Sequence, residues 1–387
     1  MKNTRFIVLS VILLMFGIGV GAVTAQQTSD SLAAANNVYV SNVTFDPGTF
    51  FTDDTGTVMV YVTNSNPDTS VVVNHATFGD KNILLTSNPY DSSANVGPLQ
   101  TQPFTFSVMA TAPDGTYFPT FSLSFVQANS LYYRATAEVD NTPLALTVVE
   151  KPDAFTQGKK KTISLQVANP RKNDVRNVVL DVSGAGITAS PARIFIGNLA
   201  AGIKIPVNFT VSPDQESQLV ITVTFNNGNN PHTVTMNLPI IFGIDKLQAD
   251  PVVSNVQVTS SGGIYHITGD VNNAGLETAN TVTVTSLPPA VPQDPYKTYV
   301  IGALKPDDFG SFEVTFSANG TPSIPLQLSF KDTNGNQYST VQDVTITASR
   351  TTQNNSGSNL LFPIIAIVIV IGACIGGWYF YVRRNKK

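Results

Sequence analysis

Cysteine is nearly absent from this chain: the single one, Cys374, excludes an intramolecular disulfide and any multi-cysteine metal site. Tryptophan is equally scarce, and Trp378 lies in an apolar C-terminal stretch, so the Cys, Trp, Cys signature of antibody domains is missing. Charge is thin as well. Only 12% of residues are charged and the net charge is -4, which leaves no basic stripe to neutralise a phosphate backbone and excludes nucleic acid as a partner. The three histidines, His75, His232 and His266, fall at unlike positions of the chain's internal repeat and do not predict a zinc site. No HExxH, GxSxG or Walker sequence occurs. The chain is therefore read as a non-enzyme, with no catalytic residue, cofactor or metal.

What is present points to strands and turns. The 387 residues include 27 glycines and 24 prolines, and Thr, Val, Ser and Asn dominate the middle of the chain. At roughly 100 to 200 residues per domain, two to four domains are expected. The expected fold is all-β, with tandem sandwich domains and a C-terminal transmembrane helix.

Apolar stretches flank this middle. Residues 1–25 carry Lys2, Arg5, an apolar run from Phe6 to Val20 and small residues ending at Ala25, the layout of a signal peptide cut after Ala25. An uncleaved anchor is the alternative, and either sends the middle of the chain outside. Near the other end, residues 360–382 form an uncharged apolar run. At 1.5 Å per residue about 22 residues span ~33 Å, enough to cross a bilayer once. Arg383, Arg384, Lys386 and Lys387 lie in the tail 383–387, and Trp378, Tyr379 and Tyr381 precede them. Positive residues stay cytoplasmic and such aromatics suit the headgroup boundary, so the ectodomain is expected outside and a short C-terminus inside. Gly372 and Gly376 form a GxxxG face for helix packing, and Cys374 reads as a small apolar filler. No LPxTG or PGF sorting motif precedes the run. A polar stalk, 349–359, joins it to the rest.

Between these ends one pattern recurs. "VGPLQ", "IGNLA" and "IGALK" place Gly97, Gly197 and Gly302 with Leu99, Leu199 and Leu304 at intervals of about one hundred residues. Upstream of each, a strand ends in Val-x-Asn, at Asn64, Asn169 and Asn273, and nine residues later stands an inward valine, Val73, Val178 or Val282. Downstream, alternating strands end at Phe125, Phe225 and Phe330. The recurrence divides the chain into three modules, 37–141, 142–243 and 249–348, each with the size and texture of an immunoglobulin- or fibronectin-like β-sandwich. The aliphatic-Gly-x-Leu motif is read as structural: its apolar residues plug the core beneath a crossover between sheets, and Gly permits a tight turn or close approach.

"VNNAGLETANTVTVTSL", with Val271, Asn273, Gly275, Ala279, Val282 and Val284, resembles the CARDB and related S-layer-like sandwich repeats of archaeal surface proteins. Where Gly275 stands, the second module has Pro170 and Arg171 and the first has Asn66. The resemblance implies envelope structure, adhesion or an accessory part of a membrane complex.

Other features read as structural. "DTNGN" sets Asp332, Asn334 and Asn336 in alternation, yet Gly335 and Asp343 miss the EF-hand positions, so a hairpin turn is expected. Asp53 with Asp54 and Asp307 with Asp308 read as solvated turn residues. Lys159, Lys160 and Lys161 read as edge-strand lysines that discourage sheet pairing. Sequons at Asn42, Asn208, Asn319 and Asn354 are candidate N-glycosylation sites. The expected role is a non-enzymatic, single-pass cell-surface protein serving envelope structure or adhesion, with other surface or membrane proteins as partners. Alternatives are an accessory ectodomain of a membrane transport or export complex, and glycan binding through Tyr132 and Tyr133.

Overall fold

A computed structural model describes residues 32 to 346, and within them the chain is all-β apart from one helical turn at 32–35. The expected signal peptide, the expected stalk, the apolar run with Gly372 and Gly376, the basic tail and Asn354 lie outside the described residues. Among the described residues no helix is long and apolar enough to cross a membrane.

Period-two alternation builds the strands. In Thr55–Asn64, Val58, Val60 and Val62 are buried while Thr57, Met59 and Tyr61 face outward. Six four-stranded sheets form three pairs with one shared strand order. Counting each pair's eight strands along the chain, one sheet runs first, second, sixth, fourth and the other fifth, third, seventh, eighth. In the second pair the first sheet is Ala145–Glu150, Lys161–Ala168, Lys204–Pro213 and Ile187–Ser190. Its companion is Arg193–Leu199, Val175–Ser183, Ser217–Asn227 and Asn230–Ile240. The first pair carries in addition a two-stranded ribbon, Gly115–Tyr117 with Ala137–Val139, which stands outside the shared order.

Each pair closes on a core drawn from both sheets. Val58, Val60, Phe104 and Phe106 meet Val73, Phe78, Phe121 and Leu123 in the first. Ile163, Leu165, Val207 and Phe209 meet Val178, Leu180, Ile221 and Val223 in the second. In the third, Ile267, Val271, Phe312 and Val314 are buried along with Val282, Val284, Leu326 and Leu328. Each such side chain contributes about 1.5–3 kcal/mol on burial.

By packing, the chain forms two compact units. The first holds residues up to Asp250 together with Gly275–Thr278 and Lys331–Gln337; the second holds Pro251–Ala274, Ala279–Phe330 and the residues from Tyr338 onward. Two loops that belong by sequence to the third repeat thus pack into the first unit.

Several local expectations need correction. The three lysines do not guard an edge: Lys161–Ala168 is an interior strand, paired on both sides, and Lys161 is buried. Leu199 and Leu304 are buried, but Leu99 is 68% exposed with φ 55°, and Val96 fills the core in its place.

Candidate functional site

The recurrence of Val-x-Asn and aliphatic-Gly-x-Leu has a common cause, because the two motifs are bonded to each other. Asn64, Asn169 and Asn273 are almost wholly buried. Asn169 Nδ2 donates to the Leu199 carbonyl at 3.0 Å, and Asn273 Nδ2 to the Leu304 carbonyl at 3.0 Å. Asn64 Nδ2 reaches the Val96 and Gly97 carbonyls at 3.0 and 3.1 Å. A side-chain amide thereby satisfies carbonyls that the chain strands as it leaves one sheet for the other. Gly197 and Gly302, with φ 83° and 105°, sit opposite Val178 and Val282 where the strand register shifts. Nothing lies within 4 Å of a Cβ at either position, so conformation and not space requires glycine there.

Two residues beyond each buried asparagine the chain receives the segment that enters its repeat. Asn66 Nδ2 donates to the Ala34 carbonyl at 2.9 Å. Arg171 donates through Nη1 to the Asp140 and Thr142 carbonyls, the latter at 3.0 Å. Gly275 lies against the Gln248–Asp250 backbone so closely that a Cβ would overlap the Gln248 oxygen and the Asp250 nitrogen, and Leu276 N donates to the Gln248 oxygen at 2.9 Å. These are the positions at which the three modules depart from one another in sequence.

Around Arg171 this slot grows into a buried polar seam joining the first two sheet pairs, both in the first unit. Arg171 Nη2 donates to the Thr49 carbonyl at 3.1 Å, and the guanidinium stands 3.8 Å from the centre of the Phe51 ring. Burial pulls its pKa below the usual arginine range, against the raising influence of Asp140, Asp54, Asp114 and Glu138. Asp140 is also lowered: burial pushes its carboxyl up, but hydrogen bonds from Thr142 and the charges of Arg171 and Lys172 leave it below the ordinary range.

Asp54 is the seam's second charge. It is 2% exposed, which overturns the solvated-turn reading, because the loop Pro47 to Asp54 folds onto the second sheet pair and not into water. Its Oδ2 accepts from Phe51 N at 2.9 Å and Asn227 Nδ2 at 2.6 Å, while Oδ1 stands 2.9 Å from His232 Nε2. The His232 ring stacks on Phe51 with centroids 4.0 Å apart. Asn227 Nδ2 also reaches the Thr49 carbonyl at 2.9 Å, and Asn230 brackets Thr55 by donating to its carbonyl and accepting from its amide. Asp53, Asp307 and Asp308 are exposed as expected.

A second polar cluster also lies in the first unit. Lys161 Nζ is 2.9 Å from Asp245 Oδ2, with both side chains under 8% exposed. Glu150, Ser164, Glu277 and Thr333 share the surrounding cavity of about 160 Å³. Burial raises the Glu277 carboxyl pKa, Lys161 opposes that, and Asp332 and Asp245 add to it. The "DTNGN" loop behaves as a turn: Asp332 Oδ1 accepts from the amides of Asn334 and Asn336, and Oδ2 accepts from Asn336 Nδ2. Asn336 in turn exchanges hydrogen bonds with the Lys160 backbone, and Asn334 accepts from the Thr162 hydroxyl at 2.7 Å.

The histidines stay apart, each beside its own carboxylate: His75 with Asp91, His232 with Asp54, His266 with Glu313. Among the described residues no group of His, Cys, Asp and Glu is arranged to hold a metal ion. Tyr132 and Tyr133 are 69% and 39% exposed on Leu131–Arg134, which pairs on one side only. Asn42, Asn208 and Asn319 are exposed. Sequence reasoning missed Arg171, Asp54 and His232 as one group, although Arg171 already marked a departure from the repeat.

No family model matches the chain. An uncharacterized protein of Methanocaldococcus jannaschii is 31% identical over 245 residues, which cover 61% of this chain and 45% of that protein. The chain thus spans less than half the length of this curated relative. Among solved structures, red sea bream transglutaminase matches 54% of this chain and 31% of its own at 14% identity with a TM-score of 0.22, a likeness too low to carry any argument about fold or activity.

Proposed function

We propose that the chain is an exported, single-pass surface protein whose three sheet pairs are immunoglobulin- or fibronectin-like sandwiches serving envelope structure or adhesion, without catalysis. The observation that carries this reading is the seam between the first two sandwiches. Domains joined by a linker swing by default. Here a buried cation held by carbonyls of the entering segment and a buried carboxylate held by the next sandwich resist that motion. A surface spacer or adhesin needs such stiffness to present a binding face at a set distance and orientation. The signal-like N-terminus, the apolar run at 360–382 and the basic tail support export and anchoring.

The test is cross-linking in intact cells, then affinity recovery of the full chain and mass spectrometry. Surface-layer subunits or further copies of this chain, linked through the sandwiches, are the expected result. One polytopic membrane protein at fixed ratio, linked near Ser349 to Arg384, would instead make the chain an accessory subunit of a membrane complex. Exposure of Tyr132 supports one second reading, glycan binding, which predicts retention on a glycan array that Tyr132→Ala abolishes with the fold intact.

A further inference from the structure

In each repeat, one end is formed by the loop between the first and second strands. In the first repeat it is the eight-residue loop between Val38–Asp46 and Thr55–Asn64, and in the second the ten-residue loop between Ala145–Glu150 and Lys161–Ala168. Both loops bond to a later segment of the chain. The first carries Phe51 and Asp54 into the seam, and the second bonds through Lys159 and Lys160 to Gln337 and Asn336 of the segment packed into the same unit.

The third repeat departs from this pattern. Its loop is cut to Gly262 and Gly263 between Pro251–Ser261 and Ile264–Asn273. Beside this turn, Ile264 pairs with Ser317 and Ser317 pairs with Val291, so the two aliphatic residues flank one serine across three strands. Ile264 is 47% exposed and Val291 is 55% exposed. The described chain leaves at the same end, where Ile346 N bonds the Pro322 carbonyl at 2.9 Å in the loop after Ser317. No charged residue occurs in 257–265, 286–293 or 314–330; just behind this tip stand the exposed pair Asp294 and Lys297, 3.0 Å apart in the loop bonded to Thr315, and Asp343 near the end of the last described strand, whereas Lys305, Asp307 and Asp308 cluster in the loop preceding Phe309–Ser317, at the other end of that strand.

From Ile346 to the apolar run only residues 347–359 intervene, a tether that reaches at most ~45 Å when fully extended. We propose that this end of the second unit, with an uncharged tip and charges behind it at headgroup depth, rests on the lipid bilayer, with Ile264 and Val291 entering the headgroup boundary. The corresponding end of each of the first two repeats bonds to a later segment of protein; beyond the third repeat the next segment is the proposed membrane anchor. Two aliphatic side chains bury too little apolar surface to recruit a free domain, but enough to hold one that is already tethered. The inference rests on the proposed anchoring, and the experiment separates the two.

The single native tryptophan, Trp378, lies inside the apolar run and reports on anchoring by itself. The full chain is reconstituted into phosphatidylcholine vesicles, with and without lipid brominated high on its acyl chains, and emission is compared. Trp378→Phe then provides the background for Ile264→Trp, Val291→Trp and, as a control at the charged end, Phe309→Trp. Phe309 is 63% exposed, so none of these changes disturbs a core. Expected are quenching of Trp378, and quenching with a blue shift for tryptophan at 264 and 291 but not at 309. Quenching of Trp378 with none at 264 and 291 overturns the inference and leaves the anchor standing; an unquenched Trp378 overturns both. A glycan found on Asn319 of the native protein would also overturn it, because Asn319 lies in the loop between Ser317 and Pro322.

Discussion

Two residues after its buried asparagine, the second repeat places Arg171 and the third places Gly275, and both receive the backbone of the segment entering their repeat. Arg171 spans a gap with a long side chain, donating to carbonyls of Thr49, Asp140 and Thr142 and so binding two sandwiches and their linker together. Gly275 closes the gap by having no side chain at all, letting two backbones touch. The difference is one of tolerance. A cationic fork can be shortened by degrees, whereas a backbone contact admits nothing larger than hydrogen.

Breaking the arginine slot should have the largest effect. Arg171→Ala removes a donor from three carbonyls, of which Thr49's keeps Asn227 Nδ2, and opens a void beside Phe51; it is expected to lower unfolding free energy by about 2–4 kcal/mol in denaturant titration of the full chain. Hydrogen exchange should rise at 140–142 and 49–54 together, since one side chain serves both.

Filling the glycine slot comes next. Gly275→Ala should cost about 1–3 kcal/mol by forcing the Gln248–Asp250 backbone away, with new protease sensitivity confined to 245–250. If sensitivity appears instead at the Arg171 seam, the two slots are coupled and the comparison fails.

Arg171→Met sharpens the contrast. It keeps the packing against Phe51 but none of the donors, so it should recover roughly 1–2 kcal/mol of the alanine loss. Full recovery would mean that volume, and not hydrogen bonding, holds the seam.

The smallest effect is expected at Glu277, two residues beyond Gly275. Burial raises its carboxyl pKa in the folded protein, so the stabilising proton is held in acid and lost as pH rises through that raised value. Above that raised value the ionised carboxylate costs stability. Glu277→Gln should raise the melting temperature at pH values above it, with the gain shrinking toward acid pH where the native carboxyl is already protonated.

Much of the fold was legible because alternation at period two and a hundred-residue recurrence both arise from burying one strand face in each of three similar cores. Val73, Val178 and Val282 are buried where the spacing put them. The buried asparagines were visible as landmarks but not as clamps, since nothing local shows that Asn169 and Leu199 meet. Asp54 was misread for the same reason: a carboxylate beside a turn looks solvated until the sandwich that covers it is in place. Lys161 was misread because a lysine at a strand start resembles an edge guard when its partner, Asp245, lies far along the chain.

The sequence by itself determined the strand texture, the repeat and the apolar stretches near either end. These depend on local sterics and on the pattern of apolar residues, which a chain carries in its own order. Only the tertiary structure decided which polar residues are buried and with whom, because Arg171, Asp54 and His232 come together through three-dimensional packing of segments that sequence separation keeps apart.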